Sequence, residues 1–188
     1  MRCPADARQS TKSAQDWIVA GMAVLGEQGA DAVRVEPLAR ALGVTKGSFY
    51  WHFRDRDALL RAMLEHWQGF ATQAIIDRID ALGGTPAARL RALVVTTGRG
   101  KRTPRIENAI RAWGARDRDV RAVLQSVDAR REAYVRNLLV EHGLTPAQAT
   151  ARARILYLAM IGEFAWTSHG GAPSGAGPWR ELVDLVLG

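Results

Sequence analysis

Seven residues between positions 45 and 52, Thr45, Lys46, Gly47, Ser48, Tyr50, Trp51 and His52, gather hydroxyls, an amine, an imidazole and bare backbone on one short stretch. Such groups suit phosphate oxygens and the edges of nucleic-acid bases. Phe49 and Phe53, four apart, fall on one buried face of a helix running roughly from Lys46 to His52. Once those rings point inward, the polar residues cannot all follow, so they are expected on the outside. Thr45 is expected to cap this helix through its hydroxyl. Asp55 is expected to cap the next, which begins near Arg56. A lone guanidinium at a helix start opposes the helix dipole, and an anion held there would remove the conflict.

Two further helices must position this stretch. Ser13 with Asp16 has the spacing of a capping box, and Trp17, Ala20, Gly21, Val24 and Leu25 form the apolar stripe of a first helix ending at Gly29. Val33 and Val35 lead into a second, with Pro37 in its first turn, where a missing N–H is harmless. Leu38, Ala39 and Leu42 carry its apolar face up to Gly43, which can take the left-handed conformation a helix end needs, and Val44 continues that face. Read plainly, a helix, tight turn and short helix form a buried hairpin with some surface polar groups.

The run GVTKGSFYWHF from Gly43 to Phe53, followed by Asp55, Arg56, Ala58 and Leu59, shifts that reading because it resembles the tetracycline-repressor (TetR) family of bacterial one-component regulators. The resemblance is specific over about residues 13–60 and architectural beyond. It implies that Thr45, Lys46, Gly47 and Ser48 enter the major groove of a double-stranded DNA operator. It also implies that Tyr50, Trp51 and His52 brace against the DNA backbone, and that Arg56 clamps a phosphate where the family usually has lysine. Glu36 departs from the pattern, because some members place a base-reading cation near the start of this helix. The anchoring role there is therefore assigned to Arg34. The expected fold is all-α: an arm and three-helix helix-turn-helix DNA-binding domain over residues 1–54, joined to a helical bundle for ligand binding and dimerisation over residues 55–188.

Composition agrees with this class. The chain of 188 residues is 47% hydrophobic, enough for real cores. Its net charge of +7 points to nucleic acid, yet the excess sits mostly elsewhere. Residues 1–61 hold nine Lys or Arg against seven Asp or Glu, whereas residues 85–136 hold thirteen against five. Arg99, Lys101, Arg102 and Arg105 form the densest part, in a loop that serves as solvated charge, approaches DNA flanks or attracts an anionic effector. Arg2, Arg8 and Lys12 lie on the preceding arm, of a kind that is often disordered and sometimes enters the minor groove. The single cysteine, Cys3, excludes an intramolecular disulfide and suits a reducing compartment, as a bystander or as a thiol sensor. No charged segment followed by an apolar run opens the chain and no apolar stretch approaches membrane-spanning length, so a cytoplasmic location is expected.

Beyond the first three helices the pattern stays helical. One long helix is predicted from Arg56 to about Ala81, ended by Gly83 and Gly84. Others follow over 86–97, 104–114, 119–142, 146–168 and 178–187. The segment GGAPSGAGP at 170–178 reads as a flexible connection. In the helix before it, Ile155, Leu158, Ala159, Gly162 and Trp166 make one apolar side and Leu156, Met160 and Phe164 another, so both sides should be covered. The last helix adds Trp179, Leu182, Val183 and Val186. A second copy of the same two helices would cover these surfaces through Ile155, Ala159, Gly162, Trp179, Leu182 and Val186, in agreement with the family's homodimeric four-helix bundle. Two-fold symmetry would set the recognition helices about 34 Å apart or somewhat more, on a near-palindrome.

The resemblance further implies an effector cavity. Trp67, Phe70, Trp113, Tyr134, Phe164 and Trp166 supply its aromatic bulk, with Glu107, Asn108, Arg111, Glu163 and His169 as nearby polar groups. A small, largely apolar effector filling it would tilt the helix from Arg56, change the spacing of the recognition helices and lower DNA affinity. No cofactor, metal or catalytic residue is expected. His66, His142 and His169 are far apart, and no HExxH, CxxC, phosphate loop or nucleophile elbow occurs. The alternative is a helical protein that binds hydrophobic ligands without specific DNA recognition, and Glu36 is the one feature that favours it.

Overall fold

The computed structural model describes residues 12–97 and 102–188, and every regular element among them is helical. Arg2, Cys3, Arg8, Arg99 and Lys101 lie outside the described residues. Ten α-helices follow in order: α1 Ala14–Gln28, α2 Val35–Leu42, α3 Lys46–Tyr50, α4 Arg56–Gln68, α5 Ala74–Ala81, α6 Pro86–Thr97, α7 Arg102–Gly114, α8 Arg118–His142, α9 Pro146–Ser168 and α10 Ala176–Leu187. A single 3-10 turn, Ala30–Ala32, joins α1 to α2. No helix of the described residues is long and apolar enough to cross a membrane.

The helix ends follow from their residues. Ser13 and Asp16 close the capping box: the Ser13 N–H donates to the Asp16 carboxylate at 2.8 Å, and the Asp16 N–H donates to the Ser13 hydroxyl at 3.3 Å. At the far end of α2, Gly43 adopts φ 69°. The Val44 N–H then reaches back to the Ala39 carbonyl and the Gly43 N–H to that of Arg40. This is the left-handed stop that a side chain would strain. Asp55 caps α4 by accepting from the Ala58 N–H at 2.7 Å. Thr45 sits at the start of α3 in extended conformation, but its hydroxyl makes no capping bond, contrary to expectation. That leaves the hydroxyl free on the surface.

The predicted single helix over 56–81 is interrupted by one wide π turn, Gly69–Gln73, between α4 and α5. There the Ala74 N–H donates to the Gly69 carbonyl, five residues back. The extra residue turns Ala71 and Thr72 inward, where both are buried. Arg131 of α8 holds them, donating to the Ala71 carbonyl at 3.3 Å and the Thr72 hydroxyl at 3.1 Å.

Two cores result. The upper one joins Trp17, Leu25, Leu38, Phe49 and Phe53 of the N-terminal module to Leu59, Met63 and Trp67 of α4, Ile106 and Ile110 of α7, and Val120 and Leu124 of α8. The lower one joins Ile79, Leu90, Leu93, Leu138, Leu139, Ala153 and Leu156 to Val183, Val186 and Leu187 of α10. The upper core crosses the boundary after residue 54 that the sequence leads one to expect. Helices α4 and α7 are therefore shared walls, and a shift in either is felt directly by α1.

Candidate functional site

The outward face of α2 and α3 is built from the inside. Phe49 is fully buried, edge-on to Trp17 with ring centroids 5.2 Å apart, and Phe53 stacks obliquely on it at 5.5 Å. With that side fixed, Thr45, Lys46 and Gly47 are exposed and Ser48 half-exposed. Tyr50, Trp51 and His52 follow on the outside, Trp51 at 88% exposure. The regular helix stops at Tyr50, so Trp51 and His52 stand on the following turn rather than on the helix itself. The imidazole of His52 lies 2.7 Å from the Lys12 carbonyl, fastening the end of the arm to this face.

Two of the three fixed cations expected at DNA are placed differently from the sequence reading. Lys46 is exposed as expected, but its ammonium donates to the Glu36 carboxylate at 2.5 Å. The hydrogen bond holds the Glu36 carboxyl below and the Lys46 ammonium above their ordinary pKa ranges, so both stay charged. Arg56 is half-exposed and anchored to the protein backbone. Its guanidinium donates to the Val33 and Ala30 carbonyls, each at 2.6 Å. Those carbonyl dipoles, with Asp57 4.0 Å away, resolve the conflict with the helix dipole that an external anion had been expected to resolve. Arg56 thus staples α4 to the turn before α2 through two of its nitrogens, while its side chain stays 37% exposed. Arg34 is exposed at the start of α2, with one long contact, 3.4 Å, to the Asp31 carbonyl.

Below the module lies a cavity of about 250 Å³. Of the six expected aromatics, Phe70, Tyr134 and Phe164 line it, with Ile75, Ile76, Leu93 and Met160. The other three do not. Trp67 is buried in the upper core with the Arg131 guanidinium over its ring, 5.3 Å from the centroid. Trp113 packs against that same core. Trp166 is largely exposed and donates its indole N–H to the Ala172 carbonyl at 3.0 Å. Their apolar bulk suggests a common cavity, but helical phase sends Trp67 and Trp113 to the upper core and Trp166 to the surface.

One wall of the cavity is ionic. Glu107, 1% exposed, accepts from Arg131 and Arg111, each at 2.9 Å. Arg111 also donates to both oxygens of Asp128, at 2.8 and 3.1 Å, and Tyr157 donates to Asp128 at 2.6 Å. Burial alone would lower the Arg111 pKa, yet the hydrogen bond to Asp128 and the Glu107 charge raise it. Burial likewise opposes ionisation of Asp128, but Arg111 and Tyr157 hold its carboxyl below the ordinary range. Burial pushes the Tyr157 hydroxyl up to about 12. Of the polar residues expected near the cavity, Glu107 lines it and Arg111 belongs to the network behind. Asn108 donates to the Phe164 carbonyl at 2.7 Å, Glu163 accepts from Ser174, and the His169 ring lies 2.7 Å from the Ala165 carbonyl.

Arg131, Tyr157, Asp128 and Thr72 escaped the sequence reading, although Arg131 had a readable signal. It interrupts the stripe Leu124, Val127, Val135, Leu138 at core spacing on α8, where a charge must find a partner. A larger, more open groove of about 480 Å³ between α6 and α10 is lined by Arg91, Val94, Val95, Trp179 and Val183. It meets neither α4 nor α7. Among the described residues no His, Cys, Asp or Glu cluster could hold a metal ion.

The outer side of α9 is apolar and uncovered. Ile155, Leu158, Gly162 and Trp166 are exposed, Ala159 is half-buried, and Leu185 of α10 is exposed beside half-buried Trp179 and Leu182. Val186, expected at the same surface, is instead 3% exposed in its own lower core, because its side of α10 faces α6 and α9.

Residues 18–63 match the model of the bacterial regulatory proteins, tetR family. The chain is 44% identical over 48 residues to the class A tetracycline repressor protein from transposon 1721 of Escherichia coli, covering 26% of this chain and 22% of that protein. It is 31% identical over 100 residues to the HTH-type transcriptional regulator BetI of Proteus mirabilis, covering 53% and 49%. The chain thus matches under half the length of either relative. In fold it is similar to SCO4454, a TetR-family transcriptional regulator from Streptomyces coelicolor, with TM-score 0.79 and 19% identity over 96% of this chain and 91% of that one.

Proposed function

We propose that this chain is a TetR-family regulator that controls transcription by binding a near-palindromic DNA site as a homodimer. A small, largely apolar effector in the cavity would release it. The observation that carries this reading is the shared upper core. Phe49 under the recognition helix, Met63 and Trp67 on α4 and Ile106 and Ile110 on α7 belong to one packed cluster. Phe70, on the π turn that continues α4, and Glu107, on α7, line the cavity. A ligand pressing on these two walls shifts the helices on which α1 to α3 rest, because packed cores move as bodies rather than deform smoothly.

In the dimer, the uncovered stripe Ile155, Leu158, Ala159, Gly162 and Trp166, with Trp179 and Leu182, meets its own copy, and Gly162 lets the two backbones approach. Thr45, Lys46, Gly47 and Ser48 then read base edges while Tyr50, Trp51 and His52 rest on the sugar-phosphate backbone. Ligand and DNA oppose each other reciprocally, since each favours a different helix spacing. Repression follows if the site overlaps a promoter.

The Glu36 to Lys46 ion pair favours a second reading, a hydrophobic-ligand binder without specific DNA recognition, because it neutralises the recognition helix's cation. Titration of the full chain against the DNA upstream of its own gene separates the two. A regulator binds that DNA well above random DNA, with affinity falling steeply as salt rises. Equal binding to both DNAs would sink the regulator reading.

A further inference from the structure

The cavity's ionic wall says what kind of molecule belongs inside. Glu107, Arg131, Arg111 and Asp128 carry two negative and two positive charges, and each is matched within the set. Glu107 accepts from both guanidinia, Arg111 is shared between Glu107 and Asp128, and Arg131 closes on Glu107, Thr72 and the Ala71 carbonyl. The quartet is therefore neutral before any ligand arrives, and the one donor it leaves unpaired, the buried Arg111 Nε, belongs to a residue that does not line the cavity. Of the cavity's other polar groups, the Thr96 hydroxyl has no partner among the described residues, whereas two hydroxyl protons are already engaged. Thr97 donates to the Leu93 carbonyl at 2.9 Å and Tyr134 to Asp80 at 2.6 Å, so both present lone pairs.

From this we infer that the cavity takes a neutral, mostly aromatic or aliphatic molecule carrying at most a neutral hydrogen-bonding group, and excludes anions and cations alike. A charged ligand would either lie uncompensated among Phe70, Ile75, Ile76, Leu93 and Phe164 or pull one member of the quartet from its partner. Either is the loss incurred when one half of a buried ion pair is removed. At about 250 Å³ the space lies just under the range typical of drug-sized ligands, so the molecule is small.

This rests on the cavity being the effector site proposed above, and the test separates the two ideas. N-phenyl-1-naphthylamine and 8-anilino-1-naphthalenesulfonate share one aromatic body, and the second adds a sulfonate beside the bridging nitrogen, where it cannot stay in water while both ring systems are buried. Both fluoresce on entering an apolar site. The full chain and its Ile76→Trp variant, which fills the cavity from a half-buried wall position, are titrated with each. The neutral probe should bind in a manner that Ile76→Trp abolishes, and the sulfonate should bind that site at least about a hundredfold more weakly, as loss of a buried pairing implies. Glu107→Gln, which leaves a guanidinium unmatched, should narrow that gap at least about tenfold. A smaller gap in the unaltered chain, or no binding of the neutral probe sensitive to Ile76→Trp, overturns the inference. If the neutral probe enters the cavity while DNA affinity stays unchanged, the effector reading fails and the ligand class stands.

Discussion

Replacing Glu107 by Gln tests whether the buried quartet is a closed unit. The substitution keeps size and one acceptor oxygen but removes the only carboxylate among the described residues that accepts from both guanidinia. Arg111 keeps Asp128, so the loss falls chiefly on Arg131, whose remaining acceptors are the Thr72 hydroxyl and the Ala71 carbonyl. Removing one partner of a buried pair costs about 3–5 kcal/mol, and the surviving contacts put this case near about 3 kcal/mol. For a chain of this length each kcal/mol shifts the melting temperature by about 2–4 °C, so Tm should fall by about 6–12 °C in circular-dichroism melts. The double variant Glu107→Met with Arg131→Met replaces both charges by apolar chains of similar length, and should recover at least about half of that loss. A Glu107→Gln protein within about 1 kcal/mol of the original would refute the reasoning, as would a double variant no more stable than the single one.

Other consequences follow from the same geometry. Arg56→Met removes the staple from two backbone carbonyls and should cost about 1–3 kcal/mol in urea unfolding, while the salt dependence of DNA binding stays as it was. A phosphate clamp would show the reverse. Glu36→Gln frees Lys46, so the plot of log affinity against log salt should steepen by about 0.9 per protomer, or about 1.8 for a dimer. An unchanged slope would mean that the pair already opens on DNA. Because the folded pKa of Tyr157 is raised from 10.0 to about 12, its contribution is whole below pH 10 and is lost as pH rises to about 12. Chemical denaturation should show that stability falling by about 2–3 kcal/mol more across this window in the original chain than in Tyr157→Phe.

The local pattern carried most of the fold. The Ser13 and Asp16 box, the Gly43 stop, the Asp55 cap and the inward pair Phe49 and Phe53 are short-range features, and each lies where its spacing indicated. What sequence left unread are partnerships across long separations. Lys46 and Glu36 are ten residues apart, Arg56 and Ala30 twenty-six, and Arg131 and Thr72 fifty-nine. No periodicity encodes which carbonyl or carboxylate a long cationic side chain will meet. The π turn at Gly69–Gln73 belongs to the same class, since helical phase predicts a continuous helix and Arg131 supplies the inward partners. Half of the expected cavity aromatics went elsewhere for a simpler reason. Aromatic content identifies what must be covered but not which of two cores covers it, and Trp67 and Trp113 joined the upper one.

The central claim is that two copies of the Thr45 to Ser48 surface read one two-fold DNA sequence. Selection of bound fragments from a random-sequence DNA library by the purified full chain tests it most directly. The account predicts enrichment of a near-palindrome with half-sites about one helical turn or somewhat more apart, and loss or change of that sequence with Lys46→Ala. Recovery of unenriched DNA, or of a single half-site without a symmetric mate, would contradict it.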